Sequence, residues 1–330
     1  MSFLHITNGD HARDVIVASG IPGTVSIWAD PLNEGPVPGG ISDALLRTIR
    51  ARFLAGAGRG DRFQAVLAQL DEWAAALDRR SEYSETVLWF EHDLFDQLAL
   101  IQVLDRIGSV PSPTPVTLIC IDQFPGHAHF KGLGELRPGD LATLFETRQA
   151  VVAAQIDLAS RAWRAFRGAD PTGIEELLRG GTSVLPFLGP AMARHLEEFP
   201  WVGTGLSRSE QQLLQLVADK PKEIRAVFPR MHDTESAFYI TDSSLWDLVR
   251  RLSMLDPPLV VVDVESEADR ALPRATAEAT VRGRAIVGGS GRVDRSEIDR
   301  WLGGVHLDRR SPMWWWDPQE RRLVQHPTAG

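Results

Sequence analysis

TVLWFEHDLFDQL, residues 86–98, decides the reading of this chain. The run from Val87 to Phe90 is apolar without interruption, as in a strand buried on both faces. It breaks directly into Glu91-His92-Asp93 before helical spacing takes over from 93 to 107. In an open parallel sheet, ligands sit outside the carboxyl ends of the strands. The break therefore puts Glu91, His92 and Asp93 at the mouth of a crevice, with Asp96 and Gln97 one turn into the next helix. An imidazole between two carboxylates suits proton transfer, which makes His92 an acid/base candidate with Glu91 or Asp93 as its orienter or as a metal ligand.

Outward from that stretch, short apolar runs at 3–7, 24–28 and 116–121 alternate with helical segments at 11–19, 41–55, 62–80 and 93–107. Strands alternating with helices build a parallel sheet covered by helices. Residues 1–140 are accordingly read as a Rossmann-like α/β domain, embellished by a long helical insertion between its second and third strands. From 141 to 200 the pattern is wholly helical, with Val151, Val152, Ile156, Leu158, Trp163 and Phe166 on an apolar stripe, and a helical bridge is expected. Residues 201–330 read as an α+β domain. Ser207 followed by Glu210 is a capping-box signature, helices near 223–228 and 243–254 follow, and the chain from 259 to 324 is β-rich. Three helices followed by strands resemble a winged helix, and the same pattern suits other small α+β units.

The other strand ends supply further polar groups on the same side of the presumed sheet. After the first strand, Gly9 is expected to provide a positive φ or a close backbone approach. Asn8 and Asp10 offer oxygens either to a ligand or, by N-capping, to helix amides. After the second, ADPLNEGPVP at 29–38 carries Asp30 and Glu34 on a loop stiffened by three prolines, placed either to meet a ligand or to tether the loop to sheet-edge amides. After the fourth come His127 and His129, a His-x-His pair, then Lys131 and flexible glycines; such a pair is more often solvated than ligating. Imidazole nitrogen and carboxylate oxygen together suit a hard or borderline divalent metal, although this spacing is not diagnostic of one.

Composition narrows the classes. With 330 residues, 43% of them apolar and 24% charged, the chain is long enough for two globular domains, and no run approaches the ~20 apolar residues of a membrane span. The opening residues show no basic region followed by an apolar stretch, so residence in the cytoplasm is expected. Cys120, the single cysteine, lies within an apolar run and reads as a packing residue; it excludes an internal disulfide and a multi-cysteine zinc site. A net charge of −9 opposes broad phosphate-backbone binding, and the basic pairs Arg250-Arg251, Arg309-Arg310 and Arg321-Arg322 are widely scattered. Trp301, Trp314, Trp315 and Trp316 suit packing first, with base or sugar stacking as the alternative.

The motifs HITNGD at 5–10, ADPLNEGPVP at 29–38, LWFEHDLFDQL at 88–98, GLSRSEQQLL at 205–214 and RWLGGVHL at 300–307 together resemble a family of bacterial proteins known chiefly as a conserved domain of unknown function. The likeness spans most of the chain and implies membership without a reaction. The family's tail has an arginine within its tryptophan cluster, where this chain reads Trp314-Trp315-Trp316-Asp317.

The residues themselves support two expectations. In the first, the N-terminal domain binds or transforms a small polar metabolite, phosphorylated and nucleotide-like compounds included, by hydrolysis or group transfer. His92, Glu91 and Asp93 then do the chemistry, while Asn8, Gly9, Asp10, Asp30, Glu34, Asp96 and Gln97 contact the substrate, with a divalent metal as the feasible cofactor. In the second, the α/β domain senses a ligand and the C-terminal domain binds nucleic acid or a protein. The acidic chain favours the first.

Overall fold

The structure, a computed structural model, describes residues 2–56, 60–127, 130–238, 240–266 and 272–325. Contacts divide the chain into two compact units, Met1–Ala191 with Gly303–Val305 and Met192–Leu302 with His306–Gly330.

The first unit is a five-stranded sheet flanked by helices. Its strands β1 (Phe3–Thr7), β2 (Thr24–Ile27), β3 (Glu85–Glu91), β4 (Val116–Ile121) and β5 (Gln149–Ala150) stand in the order β2-β1-β3-β4-β5. Leu4 of β1 lies between Thr24 of β2 and Thr86 of β3, and Thr86 lies against Val116 of β4, all in parallel register. Only β5 runs antiparallel, with Ala150 against Thr117. The helices are α1 (Asp10–Ala18), α2 (Asp43–Ala55), α3 (Gly60–Asp78), α4 (Leu94–Ser109), α5 (Pro138–Phe145), α6 (Ala153–Phe166) and α7 (Thr172–Gly180). Ser42 sets the start of α2 by accepting at Oγ from the Leu45 N–H at 3.3 Å. Helices α5, α6 and α7 belong to this unit, so the segment expected to bridge two domains divides at residue 191.

β3 is buried at every position after Glu85, as a continuous apolar run requires of a central strand. On one face Val87 and Trp89 pack with Ile16 of α1 and Leu141 and Phe145 of α5. Leu4, Ile6, Leu88 and Phe90 alternate to the other face and are fully buried, as are Leu94, Leu98 and Ile101 of α4. The neighbours β1 and β3 send the chain in opposite directions, to β2 on one side and β4 on the other. That reversal is a topological switch point, and the crevice it opens lies between the carboxyl ends of β1 and β3.

The second unit is α+β. After α8 (Leu188–Leu196), which contains the boundary, come α9 (Arg208–Leu216), β6 (Lys222–Glu223), α10 (Ile224–His232), α11 (Asp242–Ser253), β7 (Val260–Ser266) and β8 (Arg274–Ala279). The strands form an antiparallel sheet of order β6-β8-β7. A short helix α12 (Val281–Val287) and the strand pairs β9 (Arg300–Leu302) with β10 (Val305–Leu307) and β11 (Trp314–Asp317) with β12 (Arg322–Gln325) complete the chain. The capping box at α9 is closed on both sides: Ser207 Oγ accepts from the Glu210 N–H at 3.2 Å, and Glu210 Oε2 accepts from the Ser207 N–H at 2.7 Å.

Candidate functional site

β3 ends at Glu91, and the chain turns through His92 into α4, which Asp93 caps by accepting from the Asp96 N–H at 3.0 Å. The cap holds Asp96 in the first turn of α4, fully buried, where its Oδ1 accepts from the Glu91 N–H at 2.8 Å and its Oδ2 accepts from Asn8 Nδ2. Asn8 directly follows β1, so this bond ties together the two strand ends that frame the crevice. Gln97 donates through Nε2 to the Glu91 carbonyl at 2.6 Å. The Glu91 carboxyl group is covered by the chain that follows β4: Oε1 accepts from the Leu133 N–H at 2.6 Å. Gly132 stands so close that a Cβ there would lie 2.6 Å from Oε2.

Oxygens of Glu91, Asp93 and Asp96 all lie within 4.8 Å of one another, and all three residues are buried. Three carboxylates at that spacing, shielded from water, do not all stay charged unless a cation compensates them; otherwise they take up protons. Burial, then the charge of Asp93, pushes Glu91 up to about 8. Burial, then Glu91 and Asp93, raises Asp96 well above the ordinary carboxylate range, outweighing the hydrogen bonds from the Glu91 N–H and Asn8. Without a cation the cluster therefore holds protons at neutral pH.

The donor set fits a hard divalent cation of the Mg²⁺, Mn²⁺ or Ca²⁺ kind, because it is all carboxylate oxygen and an oxygen with one hydrogen bond keeps a lone pair. His92, 8% exposed, meets Phe187 edge to face with ring centroids 6.2 Å apart. The Cys120 thiol, 3.6 Å from the Glu91 carbonyl, is pushed up by burial and stays protonated, in keeping with a packing role.

The structure thus brings Asn8, Glu91, Asp93, Asp96 and Gln97 together, with His92 beside them in the same turn. The other candidates make different contacts. Asp10 is the first residue of α1 and no cap; its side chain is 72% exposed and pairs with Arg13 at 2.7 Å. Gly9 has φ 179°, an extended conformation open to any residue, so the positive φ expected for this glycine is not found, and a Cβ there would meet no protein atom within 4 Å. Asp30 is buried against Arg50 of α2, which grips it with Nε at 2.9 Å and Nη2 at 2.6 Å. The same guanidinium donates to the carbonyls of Pro31 at 3.0 Å and Glu34 at 2.5 Å. The Arg50 guanidinium thus tethers this loop, with Glu34 half-buried in it. His127 packs on Phe124, ring centroids 5.8 Å apart, and His129 lies outside the described residues.

Sequence reasoning missed Gly132 and the Leu133 amide, which reach Glu91 across 42 residues of chain. The signal that could have found them is the Gly132-Leu133-Gly134 motif, where two glycines flank an apolar residue just beyond a strand end.

Fold and site together define an α/β protein with a buried carboxylate cluster at its switch point. No protein-family model matches the chain, and no curated protein matches it significantly. Among the described residues, no helix is long and apolar enough to cross a membrane.

Proposed function

We propose that the switch-point cluster binds a small polar metabolite and transforms it by hydrolysis or group transfer, with Glu91, Asp93 and Asp96 as the ligands of a divalent cation. The observation that carries this reading is three buried carboxylates within 4.8 Å at the place where α/β sheets bind ligands. A carboxylate triad away from water weakens the fold that contains it, and such locally unfavourable arrangements concentrate at functional sites.

Chemistry follows from the two ways of compensating the charge. With protons, Glu91 is a carboxylic acid that can give up and regain a proton near neutral pH, with the His92 imidazole in the same turn. With a cation, the site supplies positive charge to a phosphorylated or otherwise anionic ligand, which the bare triad would repel. Asn8 and Gln97 hold the cluster in place from β1 and α4. Membership in the bacterial family whose motifs this chain resembles, and residence in the cytoplasm, belong to the same proposal; the five motifs and the single cysteine support them.

The regulatory or nucleic-acid reading has one observation in its favour. In the second unit α9, β6, α10, α11, β7 and β8 follow in the order of a winged helix. In such a domain α11 would read the DNA, yet its exposed positions include Asp242 and Asp247 beside Arg250 and Arg251, and Arg251 is paired with Glu210 at 3.1 Å. A helix balanced in charge offers little attraction for a phosphate backbone, so the metabolite reading is preferred.

Native mass spectrometry and metal analysis of the purified protein test the proposal, repeated on Glu91→Gln and Asp96→Asn. A divalent metal or metabolite present in the wild type and lost from both variants is the expected outcome. Equal ligand content in all three proteins would refute it.

A further inference from the structure

We propose that the first unit holds a second ligand site, a slot for a flat heterocycle with a guanine-type edge: two adjacent N–H donors beside a carbonyl acceptor. The slot is a cleft lined by Trp28, Trp73 and Trp163 together with Gln102 and Asp105. It is distinct from the carboxylate cluster. Asp96 and Asp105 both lie on α4, nine residues apart by their numbers, which is about 14 Å along a helix axis.

Two side chains on α4 provide the polar edge. Gln102 and Asp105, three residues apart, project from the same face and both line the slot. The Trp28 Nε1–H donates to Gln102 Oε1 at 2.7 Å. An indole N–H can only donate, so this bond fixes the amide orientation and leaves Nε2 as the group that can donate into the slot. Asp105 is matched differently from its neighbours. Asp30 is gripped by Arg50 at 2.6 Å and Asp43 by Arg106 at 2.9 Å, whereas Asp105 joins no ion pair among the described residues and accepts from Ser160. A half-buried carboxylate with further acceptor capacity thus sits one turn from an amide Nε2 that makes no hydrogen bond among the described residues, in a cleft that three tryptophans also line.

This set of groups selects its ligand. A carboxylate accepts two parallel N–H bonds, an amide Nε2 donates to a carbonyl, and indole faces stack on any flat π-system. Guanine nucleosides and pterins both present that edge. Adenine presents a donor beside a ring-nitrogen acceptor, which would oppose lone pair to lone pair at Asp105. A simple cation is disfavoured by the arginines that also line the slot, Arg47, Arg50 and Arg106.

The test is calorimetric and indole-fluorescence titration of the full chain with guanosine, with pterin and with adenosine. Guanosine or pterin is expected to bind with quenching, the tighter of the two identifying the source, and adenosine to bind at least about tenfold more weakly, as a site built for hydrogen bonds discriminates. Asp105→Asn and Gln102→Met should each weaken binding about tenfold or more. Trp73→Phe should retain binding that Trp73→Ala weakens, and Glu91→Gln should bind as the wild type does, which separates this site from the switch-point cluster. Absence of heat and quenching with both guanosine and pterin at millimolar concentration overturns the proposal, as does equal affinity for adenosine. Should Asp105→Asn fail to fold, the comparison of the three ligands on the wild type decides alone.

Discussion

Glu91 shows at the scale of one residue how a buried site trades stability for chemistry. Its folded pKa of about 8 lies above the ~4.5 of the unfolded chain, so the unfolded form ionises first as pH rises. The penalty is absent below pH ~4.5, grows through the interval and is complete above ~8. Glu91→Gln removes it, and at pH 7.5 without added cation the variant should be more stable than the wild type by roughly 2–4 kcal/mol, with little difference at pH 4.5. Denaturant titrations at the two pH values check this; a variant destabilised at both would assign Glu91 to fold maintenance. The opposite sign is expected at Arg50. Its guanidinium neutralises buried Asp30 and pins the loop through the Pro31 and Glu34 carbonyls. Arg50→Met leaves a buried carboxylate uncompensated and should cost about 3–5 kcal/mol in the same assay.

At the scale of the element, the start of α4 carries two duties that substitution can separate. Asp93 caps the helix through the Asp96 N–H and is also one of the three clustered carboxylates. Asparagine caps as well as aspartate, so Asp93→Asn should keep the helix while removing a like charge, leaving stability equal or higher. Asp93→Ala loses the cap and should fall below Asp93→Asn by about 1 kcal/mol. Both should fail to retain a divalent cation. Retention by Asp93→Asn, measured by metal analysis, would exclude Asp93 as a ligand. The turn after β4 is the other element at stake. Gly132→Ala would drive a methyl group to within 2.6 Å of Glu91 Oε2, so cation binding should weaken in a protein that still melts cooperatively.

At the scale of the whole molecule, pH and cations act on the units through different groups. His195 of α8 is buried, and burial lowers its pKa to about 4. The unfolded imidazole titrates near ~6.5, so between those values the unfolded chain takes up a proton that the folded chain refuses. This contribution is complete above pH ~6.5 and is lost as pH falls, by on the order of 3 kcal/mol at pH 4. His195→Met should flatten that slope in thermal melts from pH 7 to pH 4, and an unchanged slope would place the acid sensitivity elsewhere. Added Mg²⁺ or Mn²⁺ should raise the melting temperature of the wild type and leave Glu91→Gln unmoved, since a ligand that binds only the folded form stabilises it by mass action.

Much of this molecule is legible in its sequence. The unbroken apolar run at 87–90 announces a central buried strand, the Ser207 and Glu210 pattern announces a cap, and the break at Glu91-His92-Asp93 announces a strand end facing a crevice. These features are local, because periodicity and capping are written within one or two turns of chain. Partnership is not legible in the same way. The strand order that makes β1 and β3 neighbours, the bond from Asn8 to Asp96 across 88 residues, and the choice of Arg50 by Asp30 all depend on which distant surfaces pack together. The same carboxylate types therefore meet opposite fates, Asp30 neutralised by a guanidinium and Glu91 crowded by two other acids. Residue type sets what a side chain can do, and only the tertiary structure, by choosing its neighbours and its access to water, decides which carboxylates this protein keeps in reserve.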